Sequence, residues 1–315
     1  MSGSKTMRAI RQDATGGPDV LREVETARPS PRPGEVLIRV RTAGVNPTDW
    51  KHRAGSGFLE APPFVLGWDV CGTVVETGYG VTIHRSGDEV FGMLPYPFGH
   101  GSHAEYVVGP ARAFVTRPEG VDVLQAGALP LVSLTAWQAL VDTAMLGPGQ
   151  RVLVHAAAGG VGHVAVQIAK SRGAHVIGTA SSAKHGFLRE LGADEQIDYR
   201  ETDVAEAVSG MDVVLETIGG EHARESLRVL RPGGTLVSLL PLPQDLPAEA
   251  ERLGVRTAVM LVEDDQAGMR AVADLAATGR LRATIAETFP LAEAARAHAA
   301  GETGRTTGKL VLTVD

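Results

Sequence analysis

Residues 152–162 read VLVHAAAGGVG: an apolar triplet, a run of small residues, and glycines at 159, 160 and 162. This is a variant of G-x-G-x-x-G, with Ala157 in the first glycine position, Gly159 in the second and Gly162 in the third. A glycine in the second position lets the backbone approach a pyrophosphate. The helix that follows offers N–H groups and the positive end of its dipole, and the third glycine lets helix and strand pack closely. The required context is present: an apolar strand before the turn, and Val161, Val164, Ala165, Ile168 and Ala169 on one helical face after it. Dinucleotide binding is the chemistry this segment implies. About 20 residues further on, an acid usually holds the ribose hydroxyls. Here the chain reads Thr179-Ala180-Ser181-Ser182-Ala183-Lys184. Two hydroxyls and an ammonium suit a 2′-phosphate, and no carboxylate in this stretch repels one, so NADPH is expected over NADH. Ser181 or Ser182 is also expected to cap a helix beginning near Ala183.

Other reactive side chains are sparse. The single cysteine, Cys71, sits between Val70 and Gly72 and reads as a small core side chain. One cysteine makes neither an internal disulfide nor a four-cysteine zinc lobe, which fits a reducing, cytoplasmic setting. His100 and His103 form an H-x-x-H pair with no third ligand nearby in sequence, so they are expected on a solvated loop and no metal site is assigned. Trp50, Tyr96 and Phe98 are expected to cluster in substrate loops, with Tyr96 either a proton donor or a pocket wall. The run Glu263-Asp264-Asp265 suits a helix N-terminus.

These groups need elements to hold them. A length of 315 residues favours two domains. Thirty basic against 37 acidic side chains leave a net charge of −7, which makes nucleic acid or an anionic membrane a poor partner. No apolar leader stands in the first ten residues, and the apolar stretch around 152–169 is broken by glycines and histidines, so no membrane span is expected. Up to about residue 120 short alternating strands and turns such as Pro33-Gly34 suggest a β-barrel. From about 150, strand-like runs at 152–154, 175–179, 196–199, 213–217, 235–239 and 255–262 alternate with helical segments, the pattern of a six-stranded doubly wound parallel sheet. A last helix, 291–300, and a last strand, 308–313, are expected to return to the first domain. The apolar run 255–262 at the end of the sheet suggests a homodimer formed by edge pairing.

Gly44-Val45-Asn46-Pro47-Thr48-Asp49, Leu66-Gly67-Trp68-Asp69, Gly72-Thr73-Val74, Gly87-Asp88-Glu89-Val90, Leu134-Thr135-Ala136-Trp137, the 156–162 turn and Gly308-Lys309 together resemble the zinc-less quinone oxidoreductase (zeta-crystallin-like) branch of the medium-chain dehydrogenase/reductase superfamily. The resemblance implies an α/β chain: a GroES-like β-barrel catalytic domain, 1–122 with 281–315, and a Rossmann domain, 123–280, that binds NADPH. Zinc-dependent members carry a ligand cysteine where this chain has Asn46, and Gly-His-Glu where it has Gly67-Trp68-Asp69. Neither an amide nor an indole replaces those ligands. By the same resemblance Asn46 lies near the nicotinamide, Thr135, Gly160 and Val161 at the pyrophosphate, and Ser181, Lys184 and Tyr199 around the adenosine phosphate. Thr217, Leu239 and Leu240 line the cofactor cleft. Tyr199 reads equally as a partly buried strand residue. Without a metal or an evident acid–base dyad, the expected reaction is hydride transfer from NADPH to a quinone or to a carbon–carbon double bond conjugated to a carbonyl, with Asn46 and Tyr96 as the catalytic candidates: Asn46, Tyr96 or water meets the oxyanion and solvent gives the final proton. A protein that binds NADPH without turnover is the other reading.

Overall fold

Val36, Ile38 and Val40 alternate with Arg39 and Arg41 in a long apolar segment, and in the computed structural model this segment is an 11-residue strand with its valines and isoleucine buried and both arginines exposed. The structure describes residues 5–314, so the first four residues, on which part of the expectation of no apolar leader rests, lie outside it. The chain divides into two compact units, 1–134 with 263–315, and 135–262. In chain order the first unit supplies β1 (Thr6–Gln12), β2 (Arg22–Ala27), β3 (Glu35–Val45), β4 (Phe64–Val65), β5 (Asp69–Thr77), β6 (Glu89–Met93), β7 (Tyr106–Pro110) and β8 (Phe114–Thr116). The second supplies β9 (Arg151–Val154), β10 (His175–Thr179), β11 (Glu195–Ile197), β12 (Met211–Glu216), β13 (Leu230–Ser238) and β14 (Arg256–Val259), and the chain returns to the first with β15 (Ile285–Pro290) and β16 (Lys309–Thr313).

In the first unit a seven-stranded sheet runs β15-β16-β3-β5-β6-β8, with β7 also on β3, and a small sheet runs β2-β1-β4. The length of β3 lets it carry two partners on one side, β7 along 35–39 and β16 along 42–45. That pairing brings Lys309, at the start of the last strand, beside residue 45 of the third. The helix Val123–Ala128 packs on β3 and β5, and Gln125 exchanges hydrogen bonds with the backbone of Ala283 (2.6 and 2.7 Å). Residues 123–134 and 263–280, placed by sequence with the nucleotide-binding domain, therefore fall within the first unit.

The second unit is a six-stranded parallel sheet in the order β11-β10-β9-β12-β13-β14. Its core includes Leu153, Ile177, Val214 and Leu236 packed against Ala223, Leu227 and Leu246 from helices. The strand order reverses between β9 and β12, and in such sheets the ligand crevice opens at the carboxyl ends of the strands flanking that point. No helix among the described residues is long and apolar enough to cross a membrane.

Candidate functional site

β9 ends at Val154, and the chain turns through His155 to Gly159 into the helix Gly160–Ser171. The turn closes with a hydrogen bond from the Gly159 N–H to the Ala156 carbonyl (2.8 Å). Ala156, one residue before the assigned first glycine position, takes the left-handed conformation, with φ +46°. Its N–H donates to Thr179 Oγ1 (3.2 Å). Gly162 is required by packing: a Cβ there would lie 2.4 Å from the Ala156 carbonyl oxygen and 2.6 Å from Ala157 Cα. The N–H groups of the first helical turn, at Gly160, Val161 and Gly162, have no intrahelical acceptor. This cradle fits a dinucleotide pyrophosphate.

Parallel strands share one carboxyl edge. There the structure gathers the 159–161 turn, Ser181, Ser182, Lys184, Tyr199, Thr217, Leu239 and Leu240. Thr217 Oγ1 donates to the His155 carbonyl (3.1 Å), and the Leu239 N–H to the Glu216 carbonyl (2.9 Å). Thr135 is buried near the end of the helix Pro130–Trp137.

Three local readings are corrected. Residues 182–184 form a 3-10 turn, the helix is His185–Glu190, and neither serine caps it through its side chain. The Ser182 N–H instead donates to Asp198 Oδ2 (2.6 Å), so a carboxylate does stand beside this stretch. It arrives from the next strand, where β11 pairs with β10 and sets Ile197 against Thr179. The N–H groups of Arg200 and Ser182 hold the Asp198 carboxyl below the usual range. Tyr199 lies beyond the end of β11, in a turn and exposed, with the Arg200 guanidinium over its ring at 5.7 Å.

In the first unit, Asn46 precedes the helix Pro47–Arg53 and is completely buried. Its Nδ2 donates to Asp69 Oδ2 (2.8 Å), and its Oδ1 accepts from Lys309 Nζ. Lys309 also donates to the Val45 carbonyl (3.0 Å) and lies 3.5 Å from Asp69 Oδ2. Asp49 Oδ2 accepts the Asn46 N–H (2.6 Å), and Asp69 Oδ1 the Leu131 N–H (2.6 Å). Burial pushes the Asp49 carboxyl up to about 8. Burial also raises Asp69 and lowers Lys309, each opposed by the other's charge. Burial thus favours the neutral form of all three groups, while the Asp69–Lys309 contact favours the charged form of that pair.

The same helix carries Thr48 and His52. Tyr96 Oη lies 2.9 Å from Thr48 Oγ1, which lies 3.0 Å from His52 Nδ1. The Phe58 N–H donates to His52 Nε2 (2.8 Å), so Nδ1 carries the proton and donates to the Thr48 carbonyl (2.8 Å). Burial lowers the His52 pKa and raises that of Tyr96. Phe58, Trp68 and His52 ring Tyr96 with centroids 5.3 to 6.2 Å away, and Trp68 Nε1 donates to the Pro97 carbonyl (3.2 Å).

The expected trio of Trp50, Tyr96 and Phe98 is not a cluster. Trp50 packs on Gly301 and His298, Phe98 is exposed, and Phe58 and Trp68 are the partners of Tyr96. The H-x-x-H pair does not sit on a solvated loop either: His103 is fully buried, and His100 is half-buried with Nδ1 2.6 Å from the Val65 carbonyl. Cys71 is buried in β5, its thiol pushed up to about 12 by burial. Asp265 caps the helix Gln266–Ala277 through the N–H groups of Ala267 and Gly268.

Two family models match the chain: an alcohol dehydrogenase GroES-like domain over residues 32–119 and a zinc-binding dehydrogenase domain over residues 191–312. The chain is 33% identical to a chloroplast envelope quinone oxidoreductase homolog of Arabidopsis thaliana, covering 98% of each protein. It is 35% identical to a 2-haloacrylate reductase of a Burkholderia species, over 94% of this chain and 96% of that one. The solved Escherichia coli quinone oxidoreductase complexed with NADPH superposes with a TM-score of 0.88 at 27% identity, over 97% of this chain and 99% of that one.

Proposed function

As the chain belongs to the quinone oxidoreductase (zeta-crystallin-like) branch of the medium-chain dehydrogenase/reductase superfamily, we propose that it is an NADPH-dependent reductase that delivers hydride to a quinone without zinc. The observation that carries this reading is the donor set around position 46. An amide, an indole at Trp68 and the Lys309 ammonium hydrogen-bonded to Asn46 Oδ1 offer no thiolate or imidazole, and the ammonium repels a dication. The zinc of alcohol-oxidising relatives does not fit these residues, and no step passes through it.

Gly159, Gly160 and Val161 hold the pyrophosphate by backbone N–H groups, with Thr135 contributing. Ser181, Ser182, Lys184 and Tyr199 hold the adenosine phosphate, where the Asp198 charge is already met by two N–H groups. Thr217, Leu239 and Leu240 line the cofactor, and the nicotinamide, when bound, supplies the hydride. Asn46, with both side-chain polar atoms spent on Asp69 and Lys309, is a positioning residue that fixes the turn into the helix Pro47–Arg53. The oxyanion left on the acceptor takes its proton from Tyr96 Oη, which Thr48 and the packed ring of Trp68 orient.

A conjugated carbon–carbon double bond is the second acceptor class, favoured by the likeness to a 2-haloacrylate reductase. The exposed edge strand β14 supports a homodimer. Tyr96→Phe is expected to lower turnover about 10²-fold or more with cofactor affinity unchanged, measured by steady-state NADPH oxidation. Unchanged turnover would assign the proton to solvent.

A further inference from the structure

Where β9 and β12 end, three side chains outside the proposed reaction converge. One ligand atom each of His155, Glu216 and His222 lies within 4.8 Å of the other two. His222 Nδ1 is 2.9 Å and His155 Nε2 4.0 Å from Glu216 Oε2. Ligands bound tetrahedrally to Zn²⁺ at ~2.0–2.1 Å stand about 3.3 Å apart, between these two spacings, so binding draws the two rings in by up to about an ångström and a half within the 4.8 Å that bounds the set.

The ligand atoms are aimed by neighbours. Glu216 Oε1 accepts the N–H groups of Ile218 (2.6 Å) and Gly219 (3.0 Å), which leaves Oε2 toward the histidines. Thr179 Oγ1, 3.3 Å from His155 Nδ1, fixes that ring with Nε2 toward the carboxylate. Such outer contacts orient metal ligands. Ser226 Oγ lies 2.9 Å from Glu216 Oε2 and 3.1 Å from His155 Nε2, in reach of a fourth position. A cavity of about 10 Å³, lined in part by His155, His222 and Ser226, adjoins the cluster and has room for about one water or ion. His155 and Glu216 are buried, while the His222 side chain is 25% exposed and gives a path from solvent.

We propose that His155, Glu216 and His222 bind one divalent transition-metal ion of the zinc class, with Ser226 or a water as the fourth ligand. Two imidazoles and one carboxylate suit such an ion better than Ca²⁺ or Mg²⁺, which prefer oxygen ligands. The set shares no residue with the group around Asn46 and Trp68. It also adjoins the nucleotide turn: His155 precedes Ala156, its carbonyl accepts from Thr217 Oγ1, and Thr179 ties it to the Ala156 N–H. Metal and NADPH affinities are therefore coupled, a consequence that rests on the cofactor reading above.

The test uses the full chain, stripped with a chelator and titrated with Co²⁺ and then Zn²⁺ without dinucleotide. It is followed by calorimetry and by the visible absorption of tetrahedral Co²⁺. The expected result is one ion per chain, Co²⁺ displaced by Zn²⁺, affinity weakened at least about tenfold in folded His222→Ala, and affinity unchanged in His175→Ala, whose ring contacts Asp194 and Glu195 instead. Absence of binding, or binding that survives His222→Ala, would overturn the site. Repeating the NADPH titration with Zn²⁺ tests the coupling: a several-fold shift in wild type that vanishes in His222→Ala supports it, and an unchanged affinity overturns it. Failure to bind NADPH at all would defeat the cofactor reading and leave the Co²⁺ result standing.

Discussion

Lys184 stands in the 3-10 turn after β10, four residues after the buried Ala180, in the segment where dinucleotide folds choose between a ribose diol and a phosphate. Its ammonium is the charge expected to favour the phosphate. Lys184→Ala should weaken NADPH by about 1–2 kcal/mol, the range of a charge-assisted hydrogen bond, with NADH little changed in parallel binding titrations. Equal affinity of the wild-type protein for both cofactors would contradict the assignment. Asp198 escapes a reading that looks only along one βα turn, because it reaches Ser182 through the pairing of β10 with β11. Lys309 is hidden for the same reason: 263 residues separate it from Asn46, and only the return of β16 onto β3 joins them. His103 differs again, since neighbouring glycines and a serine suggest a loop while burial there is decided by tertiary packing.

Elements whose signal is local were legible. The turn at 156–162 needed only its own strand, glycines and helix, and the six parallel strands follow strand-like runs spaced by helices, although β11 stops at Ile197 and β14 at Val259, short of the runs expected at 196–199 and 255–262. The helix start near Ala183 was misplaced because a 3-10 turn and an α-helix share their opening residues, and hydrogen-bond spacing alone separates them. The outermost strand, β14, has a consequence of its own. It pairs with β13 on one side, and Val259 and Leu261 are about half exposed at and just beyond its end. An unpaired apolar edge favours association with a second copy across a twofold axis. Light scattering at micromolar concentration should give twice the chain mass, and Val259→Lys should shift it toward the monomer. A wild-type monomer would contradict edge pairing.

For the molecule as a whole, pH stability follows from histidines buried as neutral rings. His103 has no hydrogen-bond partner for either ring nitrogen, and burial pushes its pKa down to about 3. His298 is held well below its ordinary value by burial, His103 and Arg53. The unfolded chain protonates such rings near pH 6.5, so below that value the unfolded state binds more protons and folding stability falls as pH drops toward 3. For His103 the slope is about 1.4 kcal/mol per pH unit. Urea unfolding at pH 7.5 and 5.5 should show a smaller loss in His103→Leu than in wild type; equal losses would contradict the assignment. Hydride chemistry without zinc is the central claim, and it is tested most directly on chelator-treated protein. NADPH oxidation by ortho- and para-quinones and enones is compared with NADP⁺ reduction by simple alcohols. The account predicts sustained NADPH oxidation by at least one quinone or enone, faster than any alcohol reaction. Faster alcohol oxidation, or turnover lost on chelation and restored by zinc in the Glu216→Gln/His222→Ala variant, would contradict it.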